Sequence, residues 1–258
     1  SGEFTAGMES YAFHLMPYTG IENDESWPFA DDDYDPDLGV DLYEDYFGQL
    51  EYCEQLGFDG VGFNEHHFSA YGLQVSPNMS AAHAAALTDD VDLALMGNVI
   101  PIRGNPVRVA EGVAMLDNIS DGRVVSGFVR GIPTEYTAYN VDMGESRSRF
   151  EEAWDLIERA WTAEDPFDWD GEHWQYEDVY IWPRPKQDPH PPRWMPAESE
   201  RSLRFAAERE IPIGQVFYGT ETIRDIFDQY RDIARTEFDW TPGDDAFTIN
   251  RTIYVAET

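Results

Sequence analysis

The chain has 258 residues, 42% hydrophobic and 14% aromatic, with 51 acidic residues against 17 basic ones, a formal charge of −34, and one cysteine, Cys53. This content supports a sizeable core in one large or two small domains, and about 250 residues is a common length for a single α/β barrel. It excludes an internal disulfide and a cysteine-built zinc site, and no apolar run approaches the roughly 18 residues of a membrane span.

The acids are spread along the chain, and only one basic residue, Lys186, is a lysine. Self-repulsion of this size destabilises a compact chain unless salt screens it, so the composition predicts a halophilic protein of a high-salt cytoplasm. Nonspecific nucleic-acid binding is disfavoured, because it needs clustered cations. The opening SGEFTAG (residues 1–7) reads as an appended leader, no signal peptide is visible, and residues 8–258 read as one domain.

In chain order, YAFHLM (11–16) predicts a first strand. The acidic stretch 24–37 predicts a loop with Pro28 and Pro36 as breakers. From Asp41 the pattern turns helical, with Leu42, Tyr43, Tyr46, Phe47, Leu50 and Cys53 on one face and Gly57 as terminator. Cys53 on that stripe predicts a buried core thiol. FDGVGF predicts a second strand, NMSAAHAAALT a helix in which His83 is an ordinary helical residue, and VDLALMGNVI a third strand.

Asn105 is suited to cap the next helix and Pro106 to open it. VVSGFV predicts a fourth strand leading to Arg130, and a helix over 146–161 carries Phe150, Trp154, Ile157 and Trp161 on its stripe. A long Pro- and Trp-rich connection follows. RWMPAE predicts a strand, SERSLRFAAERE a helix, IPIGQVF a strand, 222–238 a helix and FTINRTIYVAE a last strand. Alternating strands and helices imply parallel pairing with right-handed crossovers. No Gly-x-Gly-x-x-Gly follows the first strand, and polar residues recur just after strand ends: Glu65 to His67, Asn98, Arg130, Glu198 with Ser199. Both features favour a barrel over a doubly wound sheet.

The adjacent histidines of NEHHF admit three readings: a metal site, a structural pair, or a group that moves a proton. Neighbouring side chains diverge, and no spacing supplies further ligands, which weighs against metal. Arg130, between apolar residues and a glycine in FVRGIP, reads as a surface charge or an anion contact. Ser199 and Ser202 lie at a helix start, which suits either a plain N-cap or a phosphate.

Taken together, GFDGVGFNEHHFSAYG, GNPVRVAEGVAMLDNISDGRVVSGFVRG, ESRSRFEEAWDLIERAW and WPRPKQDPHPP, in this order, closely resemble the bacterial-luciferase-like flavin monooxygenases. The resemblance runs from Met8 over nearly the whole chain. It implies an α/β fold, a (β/α)8 TIM barrel, and activity as an FMN-dependent monooxygenase using reduced FMN and dioxygen on an organic substrate. By the same resemblance His66 is catalytic with Glu65 in support, and His67 faces away. Arg130 reaches the flavin phosphate with Ile132 on the adjoining backbone. Glu198, Ser199 and Ser202 cradle the phosphate, and Asn98 contacts the ring beside a strained, often cis, peptide near Gly97–Asn98. Val129 stands where the family's luciferase has a reactive cysteine. No metal is implied.

Family chains continue beyond the YVAET strand, so ending at Thr258 implies that the closing part of the barrel is missing or truncated. The net charge favours a neutral or apolar substrate. Nothing resembles a nicotinamide domain, so a separate NAD(P)H:flavin reductase is expected, with a homodimer or higher oligomer by resemblance. The rivals are a deazaflavin-dependent oxidoreductase on the same barrel and a catalytically idle flavin-binding partner subunit.

Overall fold

In the computed structural model of the chain, the described residues are 7–21 and 34–253. The opening residues 1–6, most of the acidic loop and the end of the last expected strand lie outside them. Two compact units are present, Ser1–Pro192 and Arg193–Thr258.

The first unit begins with strand β1 (Tyr11–Phe13), followed by helix α1 (Pro36–Gln55). Pro36, expected to break structure, opens this helix instead. A proline costs nothing at the first helical position, where its missing N–H would be unpaired anyway, and the Asp35 side chain caps the end by accepting from Asp37 N. The same device recurs. Ser76 and Pro77 open α2 (Pro77–Ala85), Asn105 and Pro106 open α3 (Pro106–Ile119), and Pro133 opens α4 (Pro133–Ala138). Leu42, Tyr46, Phe47 and Leu50 of α1 are buried as the periodicity requires, whereas Cys53 is only half-buried; burial still pushes its thiol pKa up.

Strands β2 (Gly60–Phe63), β3 (Asp92–Val99) and β4 (Val124–Val129) pair in parallel in the order β1-β2-β3-β4. Helix α5 (Ser146–Thr162) buries the whole predicted stripe, Phe150, Trp154, Ile157 and Trp161. Its indoles clamp Phe128 of β4, with ring centroids 4.9 Å from Trp154 and 6.0 Å from Trp161. The Trp161 Nε1–H donates to Ala110 O at 3.0 Å, fastening α5 to α3.

The Pro- and Trp-rich connection holds an antiparallel hairpin absent from the sequence reading, β5 (Phe167–Asp170) with β6 (Gln175–Val179). Glu152 of α5 anchors it, accepting from Trp169 Nε1, His173 N and Trp174 N. Farther along, fully buried Asp117 accepts from Lys186 N and Gln187 N, holding the WPRPKQ segment.

In the second unit β7 (Arg193–Pro196), β8 (Ile213–Gln215) and β9 (Phe247–Ile249) are parallel in that order. Helices α6 (Glu200–Glu208) and α7 (Thr220–Glu237) alternate with them. Tyr230 of α7 donates to Ile211 O at 2.7 Å, and Phe227 packs on Phe247 at 4.5 Å. Both units are thus α/β with parallel strands, as expected. Among the described residues no helix is long and apolar enough to cross a membrane.

Candidate active site

The loop after β2 carries Asn64 to His67, and neighbouring segments fix its path. His66 N donates to Gln74 O, Leu73 N to Met16 O and Tyr18 N to Ala70 O, which ties the loop to the segment after β1. Gln74 Nε2 donates to His14 O, and Tyr43 of α1 donates to Leu73 O. His14 is itself held neutral: burial lowers its pKa, and its Nδ1 accepts from Met16 N at 2.8 Å.

The two histidines have different surroundings. His67 is buried, with Nε2 2.7 Å from Glu65 Oε1 and Nδ1 3.0 Å from the Tyr139 hydroxyl. A carboxylate can only accept, so Nε2 carries the hydrogen and Nδ1 receives one from Tyr139. Burial, and after it the charge of Glu65, raises the Tyr139 pKa and keeps that donor protonated. The other oxygen of Glu65 accepts from Val99 N at 3.0 Å and Arg103 Nη2 at 2.5 Å. Glu65 therefore meets His67 rather than the neighbouring His66, and of the two expected forms of support, a bond to the His66 ring or a brace behind the loop, the geometry has the brace. It locks His67, the end of β3 and Arg103 together.

His66 keeps 21% of its side chain exposed, and its Nδ1 lies 3.3 Å from Oε1 of Glu135. Glu135 belongs to α4 and is buried; its Oε2 accepts from Ile132 N at 3.0 Å. The sequence reading passed over this residue, although an acidic side chain in the first turn of a proline-opened helix was a visible signal. Aromatic rings border the pair. Tyr71 meets His66 edge-on at 4.8 Å, Tyr139 meets His67 at 4.9 Å, and Phe68 meets Tyr139 at 5.5 Å.

Arg130 follows β4 directly. Its Nη2 donates to Ser146 Oγ at 2.8 Å, and its backbone carbonyl accepts from the Tyr136 hydroxyl. Burial pushes the Tyr136 pKa up to about 12. The Arg130 Nε is buried without a partner. An orphaned guanidinium donor is costly unless something accepts from it, and a phosphate oxygen is a suitable acceptor. The residues here fit a phosphate group.

Other expected contacts fall differently. Asn98 shares register with Phe128 on the helix side of the sheet, and its Nδ2 donates to Asn78 Oδ1 at 3.0 Å. It borders a cavity of about 270 Å³ with Asn78, Arg103 and Asn105. Its amide is thus bonded to α2. The cis peptide is Met96–Gly97, one bond before the expected position. A Cβ on Gly97 would collide with Gly127 O, so the close approach of β3 and β4 requires glycine there.

In the second unit Ser199 caps α6, and Ser202 returns the bond. Ser202 Oγ accepts from Glu198 N and Ser199 N, at 3.2 and 3.0 Å. These two backbone donors are closed into the cap. The Glu198 carboxylate accepts from the Tyr218 hydroxyl. Among the described residues no group of three or more His, Cys, Asp or Glu converges as a metal site.

A sequence model described as luciferase-like monooxygenase matches residues 32–258. The chain belongs to the luciferase-like monooxygenase family. It is 32% identical over 161 residues to an alkanal monooxygenase alpha chain of Photorhabdus luminescens, covering 62% of this chain and 44% of that one. The chain thus spans about half the length of the curated relatives it matches.

Among solved structures it resembles a monooxygenase from Streptomyces bottropensis, with TM-score 0.81 and 30% identity over 96% of this chain and 72% of that one. The oxygenating constituent of 3,6-diketocamphane monooxygenase from Pseudomonas putida, solved with FMN, gives 0.79 at 19% identity, over 96% and 68%. An F420-dependent secondary alcohol dehydrogenase gives 0.70 at 18%, over 88% and 64%. The last two share the fold, which therefore does not choose between flavin and deazaflavin.

Proposed function

We propose that this luciferase-like chain is the oxygenase of an FMN-dependent monooxygenase that acts on a neutral or apolar organic substrate. The observation that carries the reading is that one short segment, 130–136, holds both Arg130, with its orphaned donor, and Glu135, which contacts His66. A phosphate-binding group and a proton-handling group are thereby built on one piece of backbone. FMN would supply the oxygen chemistry when bound; the chain would supply placement, exclusion of water and control of one proton.

Arg130 would hold the phosphate, with Ser146 fixing the guanidinium and Ile132 closing the turn. Ser199, Ser202 and Glu198 stay assigned to phosphate by resemblance alone, and Asn98 would act through the backbone near it. His66 Nε2 would take up and return the proton, an imidazole being suited to both directions near neutral pH. The rim of Phe68, Tyr71 and Tyr139 favours an apolar substrate, in line with the alkanal relative. The name "oxygenating constituent" on an FMN-bound neighbour supports a separate NAD(P)H:flavin reductase as partner. A homodimer or higher oligomer, a high-salt cytoplasm and the full (β/α)8 barrel belong to the same reading.

The test is cofactor binding. Arg130→Ala should weaken FMN about ten- to a hundredfold, the worth of a charge-assisted contact, and leave riboflavin nearly unchanged. Equal weakening of both would assign Arg130 to the fold. A deazaflavin enzyme, the reading that the alcohol-dehydrogenase neighbour favours, would instead bind F420 and form no oxygenated product from reduced FMN and oxygen. An idle partner subunit would bind FMN and turn nothing over.

A further inference from the structure

We infer that Glu135 is the positioning residue for His66: its buried carboxylate holds the hydrogen on Nδ1 and so leaves the lone pair on Nε2, the atom free to exchange a proton. The inference deepens the monooxygenase reading and rests on it for the role of His66.

The geometry carries the argument. Oε1 of Glu135 lies 3.3 Å from His66 Nδ1, and Oε2 accepts from Ile132 N at 3.0 Å. The carboxylate is almost wholly buried and is pinned at its second oxygen, so it cannot follow the imidazole if the ring turns. A carboxylate only accepts, so a neutral imidazole facing it must carry hydrogen on Nδ1. Uptake of a proton at Nε2 then gives an imidazolium whose Nδ1–H still points at Glu135, and release from Nε2 restores the starting ring.

The path of the backbone depends on this contact. Gly131 has φ +80°, and a Cβ there would lie 2.7 Å from Glu135 Oε2 and 2.5 Å from Val99 Cγ1. The glycine therefore makes room for the carboxylate. On the other side of the same turn, the neighbouring Tyr136 hydroxyl donates to Arg130 O. Residues 135 and 136 thus brace the arginine's turn while one of them orients the histidine. His67 is not available for the same role, because both of its ring nitrogens are engaged by Glu65 and Tyr139.

The experiment uses the full chain labelled with 15N-histidine. Long-range 1H–15N correlation reports which ring nitrogen carries hydrogen, and the His66 signals are those absent from H66Q. The expected wild-type result is hydrogen on Nδ1. E135L should move it to Nε2, and E135Q, which keeps a carbonyl acceptor, should retain it on Nδ1. In parallel, dithionite-reduced FMN, oxygen and decanal are supplied, and product formed is compared with hydrogen peroxide released. E135L should lose at least tenfold in product per oxygen consumed, a modest share of the usual worth of general acid–base catalysis. E135Q should lose much less.

Hydrogen on Nε2 in the wild type, or an unchanged tautomer in E135L, overturns the inference whatever the activity. A moved tautomer with unchanged product yield keeps Glu135 as the residue that sets the ring and overturns the catalytic reading of His66. A wild-type chain that oxidises no decanal counts against that substrate class, and the nitrogen spectra still decide what Glu135 does.

Discussion

Replacing Glu65 by alanine tests the division of labour between the two carboxylates. Its side chain is fully buried and receives three donors: His67 Nε2 at 2.7 Å, Val99 N at 3.0 Å and Arg103 Nη2 at 2.5 Å. Alanine leaves all three without an acceptor. Breaking a buried ion pair costs about 3–5 kcal/mol and orphaning a buried N–H about 1–3. Arg103 keeps 30% of its side chain exposed, so water recovers part of the loss. A net cost of about 3 kcal/mol follows.

At about 2–4 °C per kcal/mol for a chain of this size, the unfolding midpoint should fall by about 6–12 °C. His66→Ala removes one 3.3 Å contact from a partly exposed ring and should cost about 1 kcal/mol. Thermal unfolding followed by circular dichroism, at one fixed molar KCl concentration, compares the two. Glu65→Gln should fall between them, since it keeps one acceptor oxygen. A Glu65→Ala shift no larger than that of His66→Ala would refute the view of Glu65 as the structural carboxylate.

The charge of −34 predicts a midpoint that rises steeply as KCl goes from dilute to molar, because screening relieves repulsion among 51 carboxylates; a flat or falling midpoint would remove the halophilic reading. Alkali should destabilise the chain. Burial raises Tyr136 to about 12 and also raises Tyr11 and Tyr230, so their hydroxyls stay protonated in the fold after the unfolded chain has begun to lose its protons near pH 10. The stabilising share of Tyr136 is whole below about pH 10 and drains as pH climbs through about 12, by roughly 2–3 kcal/mol, and those of Tyr11 and Tyr230 begin to drain in the same range. Urea midpoints that match at pH 9 and pH 11 would contradict this. Gly131→Ala should lower the midpoint by several degrees, since its Cβ meets Val99 and Glu135 at a positive φ. It should also disturb the His66 nitrogen signals, whereas a silent substitution would mean the turn tolerates the displacement.

Local rules made much of this protein legible before any coordinates. Asn105 and Pro106 announced α3 because capping and proline placement depend on adjacent residues alone. The aromatic stripe of α5 announced a buried face because its 3.6-residue period is a property of the helix itself. Glu65 to His67 and Arg130 marked the loops after β2 and β4 because polar residues directly follow apolar strand runs there. The β5–β6 hairpin escaped, since its strands are only four and five residues long and the alternation of Phe-Asp-Trp-Asp is not kept in Gln-Tyr-Glu-Asp-Val.

What the sequence left open was which side chains meet. Glu65 stands next to His66 in the chain yet bonds to His67, and the carboxylate that reaches His66 is Glu135, 69 residues away. Likewise Asn98 turned to Asn78 in α2, because the register of β3 with β4 puts it on the side of Phe128. Such pairings depend on the paths of several loops and on which face of a sheet each side chain takes. Periodicity encodes the second only within a strand and the first not at all, so only the tertiary structure could decide them.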